Sequence, residues 1–274
     1  MTEPLHVHRW PAAADATARP QIGANLLLIH GLGEHGGRYA RFAARMNAHG
    51  IGVIAPDLPG HGRSPGARGD APGLASMVDS LEPCWAELDP AKPRLLMAHS
   101  FGGLLAVQLA LRHADAVAAM LLSSPFFDFG TPPKAWQRFM ARTLLRVVPG
   151  LGVPTGIDTT ALAHDPQVAI DYRADPLIHD RMSPRVFAEA ELTHGLIPAF
   201  AARLTMPVLV WHGDADRLTG FAGSQRFVAK LKNPKGAFIG VAGGYHELLN
   251  DHGHEALEQR VLDWIAVVLE GAPK

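Results

Sequence analysis

Cysteine is almost absent from this sequence: Cys84 is the single one among 274 residues. One thiol cannot form an internal disulfide, so packed apolar side chains must hold the fold together. Neither sign of charge is in excess, because 25 lysines and arginines stand against 26 aspartates and glutamates. Proteins that bind nucleic acid through its phosphates carry a basic excess, so we expect no nucleic-acid partner.

Long hydrophobic runs are also missing. No apolar run approaches the ~18 residues that a membrane-spanning helix needs. The N-terminal segment lacks the basic stretch and apolar stretch of a signal peptide, so we expect a cytoplasmic protein. Two H-x-H pairs, His6/His8 and His252/His254, lack a further organised ligand set. We therefore expect surface or loop histidines, no metal and no cofactor.

Short apolar runs alternate with helical patterns along much of the chain. Continuous apolar runs are typical of parallel strands that are buried on both faces. The pattern predicts an α/β fold with a mostly parallel central sheet flanked by helices. We also expect an edge strand near Leu5–Trp10. Pro83 lies within a predicted helix, so we expect a kink or a break there. The predicted strands are Asn25–His30, Gly52–Ala55, Arg94–Ala98, Val117–Ser123, Met206–Trp211 and Ala237–Val241.

One segment interrupts this alternation. Residues 126–203 show helical patterns but no convincing strand. Such a segment is too long for a simple crossover between strands. We therefore expect an all-helical cap at 126–203, inserted into a core formed by 1–125 and 204–274. The cap should lie over the carboxyl ends of the strands, because open α/β sheets place their sites there.

The stretch "LLMAHSFGGLLAVQLAL" passes from a strand pattern into a helix pattern, with Ser100 at the joint. A nucleophile elbow, G-x-S-x-G, needs small residues on both sides of the serine because its tight turn brings main chains close together. Gly102 fills the second glycine position, and Ala98, one methyl group larger, occupies the first. A serine that caps a helix N-terminus would also fit, so the motif alone leaves both roles open.

A serine nucleophile needs a base, and the base needs an orienting acid; in this architecture their chain order is Ser, acid, His. Asp214 and Asp216 both follow a late predicted strand. We favour Asp216, because Asp214 adjoins a glycine turn where aspartate commonly bonds its own backbone. His246 follows the next predicted strand. The sequence therefore predicts a triad of Ser100, Asp216 and His246.

Acyl transfer also needs two N–H donors for the oxyanion. One is the backbone N–H of Phe101, directly after the nucleophile. The other is expected from Leu32 in the loop "HGLGEHGGRY", whose glycines allow a close approach to Ser100. We expect His30 to stabilise this turn. In this scheme His246 deprotonates the serine and later activates water to release the acid.

Several segments resemble the monoacylglycerol lipase and lysophospholipase group of α/β-hydrolases: "HGLGEHGGRY", "PDLPGHGRSPGARG", "AHSFGG", "DPLIHD", "PVLVWHGDADRL" and "GYHELLND". The resemblance covers about residues 25–265 and is weakest in the cap. Ala98 departs from the usual glycine. The resemblance implies an α/β-hydrolase fold. By position in these motifs, it implies Ser100 as the nucleophile, Asp216 as the acid and His246 as the base. It also implies that Leu32 and Phe101 supply the oxyanion donors.

The cap segment "PPKAWQRFMARTLLRVVPG" predicts an amphipathic helix. A cationic stripe repeats at intervals of four residues, at Lys134, Arg138, Arg142 and Arg146. We expect the apolar side to pack over the substrate pocket and leave the basic face in solvent. A transient contact with an anionic lipid surface is the alternative hypothesis. The expected pocket residues are Trp136, Phe139 and Met140.

The resemblance implies a small acyl ester as substrate, such as a monoacylglycerol, cleaved through an acyl-serine. A short-chain carboxylesterase, a lysophospholipase and an acyltransferase remain alternatives. An aminopeptidase is disfavoured, since the eight acidic and eight basic residues of 126–203 offer no strongly acidic pocket for an amino terminus. A non-catalytic protein that binds an apolar ligand is the alternative from another class, and the intact triad argues against it.

Overall fold

A central seven-stranded sheet organises the structure, a computed structural model that describes residues 3–13 and 21–270. Its order is β1-β3-β2-β4-β5-β8-β9, and all neighbours are parallel except β1, which pairs antiparallel with β3. A separate antiparallel pair joins β6 to β7. The strands are β1 (Val7–Trp10), β2 (Asn25–Ile29), β3 (Gly52–Pro56), β4 (Arg94–His99), β5 (Ala119–Ser123), β6 (Val153–Pro154), β7 (Arg181–Met182), β8 (Val208–Gly213) and β9 (Ala237–Val241).

Helices cover both faces of the sheet, which explains why its central strands are apolar on both sides. One face packs against α1 and α8, and the other packs against α2, α3, α6 and α7. The predicted α/β fold is thereby confirmed. The helices are α1 (Ala40–Ala48), α2 (Leu74–Glu87), α3 (Gly102–Arg112), α4 (Ala135–Val147), α5 (Pro166–Ala174), α6 (Pro184–Ala201), α7 (Phe221–Val228) and α8 (His254–Glu270).

All six predicted central strands form, with ends shifted by up to two residues. The expected edge strand forms at Val7–Trp10. Of the kink or break expected at Pro83, the break does not occur: α2 continues through this residue, and a kink stays a prediction. Pro83 and Asp79 are both exposed, so the carbonyl that Pro83 leaves without an intrahelical donor faces water.

The segment between β5 and β8 contains α4, α5 and α6. The expectation that it is all-helical was wrong in one detail, because the two-residue strands β6 and β7 pair within it. Strands this short leave no readable alternation in the sequence. Apolar side chains of α6 share a buried cluster with α2 and α3, so this helix is anchored in the main core. The division into a core and a separate cap stays a prediction.

Within the part of the chain that the structure describes, no helix combines the length and the apolar composition that crossing a bilayer requires.

Candidate active site

Ser100 lies in the sharp turn between β4 and α3, with a φ of +51°. A positive φ is strained for a residue other than glycine, and such strain is concentrated at functional sites. The turn is held by the Ser100 N–H, which donates to Ser123 O at 3.0 Å. A Cβ at Gly102 would lie 2.5 Å from His30 O, so only glycine allows α3 to start this close to β2. Ala98 is fully buried in β4, and the fold accommodates its extra methyl group.

His246 lies in the loop after β9 and is 4% exposed. Its Nδ1 is 2.7 Å from Oδ2 of Asp216, which follows β8. The carboxylate fixes which ring nitrogen carries the proton, and leaves Nε2 free to act as a base. Ser100 and His246 line the same cavity. The structure therefore brings together the three residues that the sequence singled out.

Several donors surround the Asp216 carboxylate. Its Oδ1 accepts the backbone N–H groups of Leu218 and Thr219 at 2.8 and 3.0 Å. Its Oδ2 accepts the Thr219 hydroxyl at 2.8 Å and lies 3.1 Å from Nε2 of the buried His212. Burial by itself would raise the pKa of Asp216, but the nearby His246 and the hydrogen bond from His212 outweigh it and hold the pKa well below its ordinary value. These donors favour the anionic form of Asp216, and its Oδ2 orients His246.

The pKa of His246 is shifted upward from 6.5. Burial opposes the charged ring and would lower this pKa, whereas the Asp216 carboxylate stabilises the imidazolium and raises it. The neighbouring ring of His99 lies 4.7 Å from that of His246. Burial, followed by the charge of His246, lowers the pKa of His99 to about 4, so His99 stays neutral near pH 7.

The loop after β2 approaches the serine closely. A Cβ at Gly31 would lie 3.2 Å from the Ser100 Cβ, so this loop passes directly beside the nucleophile. Leu32, on this loop, and Phe101, after the serine, both line the cavity. This placement is compatible with the predicted roles of their N–H groups as oxyanion donors, which stay predictions.

A buried ion network lies beneath this loop, and sequence reasoning missed it. Glu34 accepts the Gly31 N–H at 2.7 Å and the Tyr39 hydroxyl at 2.8 Å. Arg38 bonds Glu34 at 2.7 Å and both carboxylate oxygens of Glu247 at 2.8 and 2.7 Å. Burial would raise the pKa of Glu34, but Arg38 overrides it and lowers that pKa to about 2. Arg38 thus ties the loop beside Ser100 to the residue after His246. The motif "GEHGGRY" contains three of the four side chains of this network, but the fourth, Glu247, is 209 positions from Arg38.

The cavity has a volume of about 710 Å³, within the size range of small-molecule pockets. Helix α4 contributes Gln137, Met140, Ala141 and Leu144, spaced as one helical face, and Trp136 at its margin. The expectation for Phe139 was wrong: it is absent from the lining and is 68% exposed. At ~100° per residue, Phe139 lies roughly 160° around the helix from Gln137.

The rejected candidates have structural roles. The carboxylate of Asp214 accepts the Gly243 N–H at 2.6 Å. Nε2 of His30 accepts the Leu58 N–H at 2.8 Å, so its Nδ1 carries the proton and donates to Gly31 O at 2.7 Å. His30 therefore fixes the turn, as the sequence predicted. His252 is exposed, and His254 lies beside Glu258 on α8.

Comparison with known proteins gives concordant results. A model of the family described as serine aminopeptidase, S33, matches residues 20–253. The monoacylglycerol lipase of Mycolicibacterium smegmatis is 34% identical over 244 residues, which cover 88% of this chain and 87% of that protein. The monoglyceride lipase of Homo sapiens is 29% identical over 236 residues, 82% of this chain and 76% of that protein. The crystal structure of Paleococcus ferrophilus monoacylglycerol lipase has a TM-score of 0.87 and 29% identity, covering 97% of this chain and 100% of that chain.

Proposed function

The chain belongs to the α/β-hydrolase family described as serine aminopeptidase, S33, and from this premise we propose that it is a serine ester hydrolase of the monoacylglycerol lipase type. Its similarity to proteins named monoacylglycerol and monoglyceride lipases supports this activity. The observation that carries the proposal is the position of Ser100, at positive φ on a strand end, in a cavity that it shares with a carboxylate-bound His246.

The proposed mechanism proceeds through an acyl-serine. Nε2 of His246 takes the proton of Ser100 Oγ while that oxygen attacks the ester carbonyl. The backbone N–H groups of Leu32 and Phe101 stabilise the oxyanion, together with the positive N-terminal end of α3. The protonated His246 then gives its proton to the leaving alcohol. It next deprotonates a water molecule, which attacks the acyl-serine, releases the fatty acid and restores Ser100.

The cavity lining favours an uncharged ester with an apolar acyl chain over a peptide. Met140, Leu144 and Phe187 supply apolar surface above the serine. An aminopeptidase needs free carboxylates to bind the substrate ammonium group. The three carboxylates of the lining are already paired, Glu34 and Glu247 with Arg38 and Asp158 with Arg217.

The activity test is a series of p-nitrophenyl esters from acetyl to palmitoyl, compared with 1-monoacylglycerol. We expect glyceride turnover and a preference for acyl chains longer than acetyl. A fluorophosphonate probe should label the wild type and not Ser100→Ala, while Ser76→Ala, on the far helix α2, should label normally. Turnover of the acetyl ester alone would indicate a short-chain esterase, and labelling of Ser100→Ala would refute the nucleophile assignment.

We further propose that α4 contacts the lipid surface from which the substrate is drawn. No residue of α4 is buried, and Trp136, Phe139 and Val147 are 62%, 68% and 72% exposed. The cations Arg142 and Arg146 are exposed as well, whereas Arg138 is bound to Glu191 at 2.8 Å. An apolar face flanked by cations is typical of helices that lie in a membrane interface.

Co-sedimentation with anionic phosphatidylglycerol vesicles tests this contact. We expect the wild type to bind, Phe139→Ser combined with Val147→Ser to reduce binding, and Arg142→Glu combined with Arg146→Glu to reduce it further. Val267→Ser is the matched control, because Val267 is an equally exposed apolar residue on α8. Equal binding of all four proteins, or no binding of the wild type, would contradict the proposal. A cytoplasmic location stays a prediction.

A further inference from the structure

Two histidines and an aspartate meet at the antiparallel edge of the sheet, outside the candidate active site. The backbone N–H of Asp57 donates to His6 O at 2.8 Å, which places the two residues opposite each other across the β1–β3 pair. Opposed residues of antiparallel strands project to the same face, and so do residues two apart on one strand. His6, His8 and Asp57 therefore share one face, although the sequence alone suggested surface or loop histidines with no ligand set.

The three side chains converge. One ligand atom from each lies within 4.8 Å of the other two, and Nε2 of His8 is 3.1 Å from Oδ1 of Asp57. Two ligands that each lie about 2.0–2.2 Å from one ion are roughly 3–3.6 Å apart, so the His8–Asp57 distance already suits a shared ion. The carboxylate is buried and is oriented by the backbone N–H groups of Gly36 and Arg63, at 2.8 and 2.9 Å.

A third histidine, beside this cluster, supplies an independent observation. Nδ1 of the buried His35 has no hydrogen-bond partner among the described residues, while its Nε2 is 2.8 Å from Asp175 Oδ2. A carboxylate on one nitrogen fixes the proton there and leaves the other nitrogen as a lone pair, which is the arrangement found around metal-bound histidines. A Cβ at Gly37 would lie 3.0 Å from His35 Nδ1 and 3.0 Å from His8 Cε1, so the missing side chain leaves space between the two rings.

We propose that His6, His8 and Asp57 bind one divalent transition-metal ion of the zinc class. Imidazole nitrogens with a single carboxylate oxygen favour zinc, cobalt or nickel over magnesium or calcium. The ion links the edge strand β1 to the end of β3, and Asp57 itself accepts the N–H of Gly36, in the loop that precedes α1. Its role is therefore structural: it holds the sheet edge beside that loop.

The test uses the full chain after removal of metal with EDTA. Zinc binding is measured by competition with a chromophoric chelator, and cobalt binding by visible absorption. We expect one zinc per chain, and at a hundredfold excess over the dissociation constant a rise in melting temperature of about 5 °C or more. His6→Ala should weaken zinc binding by at least about tenfold and abolish the temperature shift. His252→Ala, in the other H-x-H pair, should behave as the wild type.

His6→Gln is the second variant, in case His6→Ala is less stable than the wild type in EDTA. It retains a polar side chain but has no imidazole, so we expect the loss of zinc affinity and of the cobalt absorption to persist. Wild-type affinity in both His6 variants, or equal losses in His252→Ala, would overturn the proposal. So would the absence of stoichiometric zinc binding to the wild type.

Discussion

His246 carries every proton in the proposed mechanism, so its surroundings determine the pH dependence of turnover. Only the neutral ring can accept a proton from Ser100. Because Asp216 raises the pKa of His246 above 6.5, the ring stays protonated to a higher pH than an ordinary histidine does. We expect kcat/KM to fall as the pH is lowered through a midpoint above 6.5. A pH–rate profile measures this midpoint, and melting temperatures over the same range separate it from unfolding. A midpoint below 6.5 would contradict the assignment.

Asp216 is expected to act through orientation and charge rather than through proton transfer. The amide of Asp216→Asn keeps the shape but removes the anion that holds the His246 proton on Nδ1. By analogy with other serine hydrolase triads, we expect kcat to fall by about 10³–10⁴-fold, with a much smaller change in KM. Asp214→Asn is the control, because that carboxylate accepts the Gly243 backbone N–H and does not orient His246. Equal losses in the two variants would show that the acid has been assigned wrongly.

Arg38 neutralises two buried carboxylates, Glu34 and Glu247, and its removal leaves both without this countercharge. We expect Arg38→Met to lower the free energy of unfolding by about 3–5 kcal/mol near pH 7. Arg45→Met, on the following helix, is the control, since Arg45 bonds the neutral Gln259. Urea unfolding measures the free energy of unfolding of both variants and of the wild type.

The sign of the pH effect distinguishes this charge effect from lost packing. In the wild type, Glu34 has a pKa of about 2 against an ordinary 4.5, so its contribution to stability is complete above pH 4.5 and is lost as the pH falls towards 2. In Arg38→Met we expect the pKa values of both carboxylates to rise, because burial still raises them and the opposing charge of Arg38 is lost. The stability deficit of the variant should therefore shrink between pH 8 and pH 5. A deficit independent of pH would indicate packing alone.

At the scale of single elements, α2 is weakened by a proline in its interior. Pro83 cannot donate to the Asp79 carbonyl, and both residues are exposed, so no core packing depends on the ring. We expect Pro83→Ala to raise the free energy of unfolding by about 1–3 kcal/mol, since proline is the poorest residue in a helix interior. Pro90→Ala, in the exposed turn after α2, should give no such gain. Thermal unfolding monitored by circular dichroism compares the two, and equal shifts would contradict this explanation.

The elements that the sequence predicted well are those whose signal is local. Six apolar runs became strands of the main sheet, and the four from β2, β4, β5 and β8 are almost continuously apolar because these strands are buried on both faces. The triad candidates could be found because parallel strands end at one edge of the sheet, so Ser100, Asp216 and His246 had to converge there. The orientation of Phe139 could not be predicted, because apolar side chains lie on more than one side of α4 and the sequence does not show which side faces the cavity. The pairing of Arg38 with Glu247 depends on tertiary contact across the whole chain.

At the scale of the whole molecule, residues of 126–203 and residues of the rest of the chain line one cavity. The face of α4 in this lining should therefore limit acyl-chain length. Ala141 lines this face, and Thr143, two residues on, lies on the opposite, exposed side. We expect Ala141→Phe to reduce kcat/KM for p-nitrophenyl laurate by about tenfold or more and to leave the acetate ester nearly unchanged, since an added ring excludes only the distal part of a long chain. Thr143→Phe adds the same bulk outside and should change neither substrate. Equal losses on both esters in Ala141→Phe would mean that the mutation disturbs Ser100 itself, and unchanged laurate turnover would place the acyl chain elsewhere.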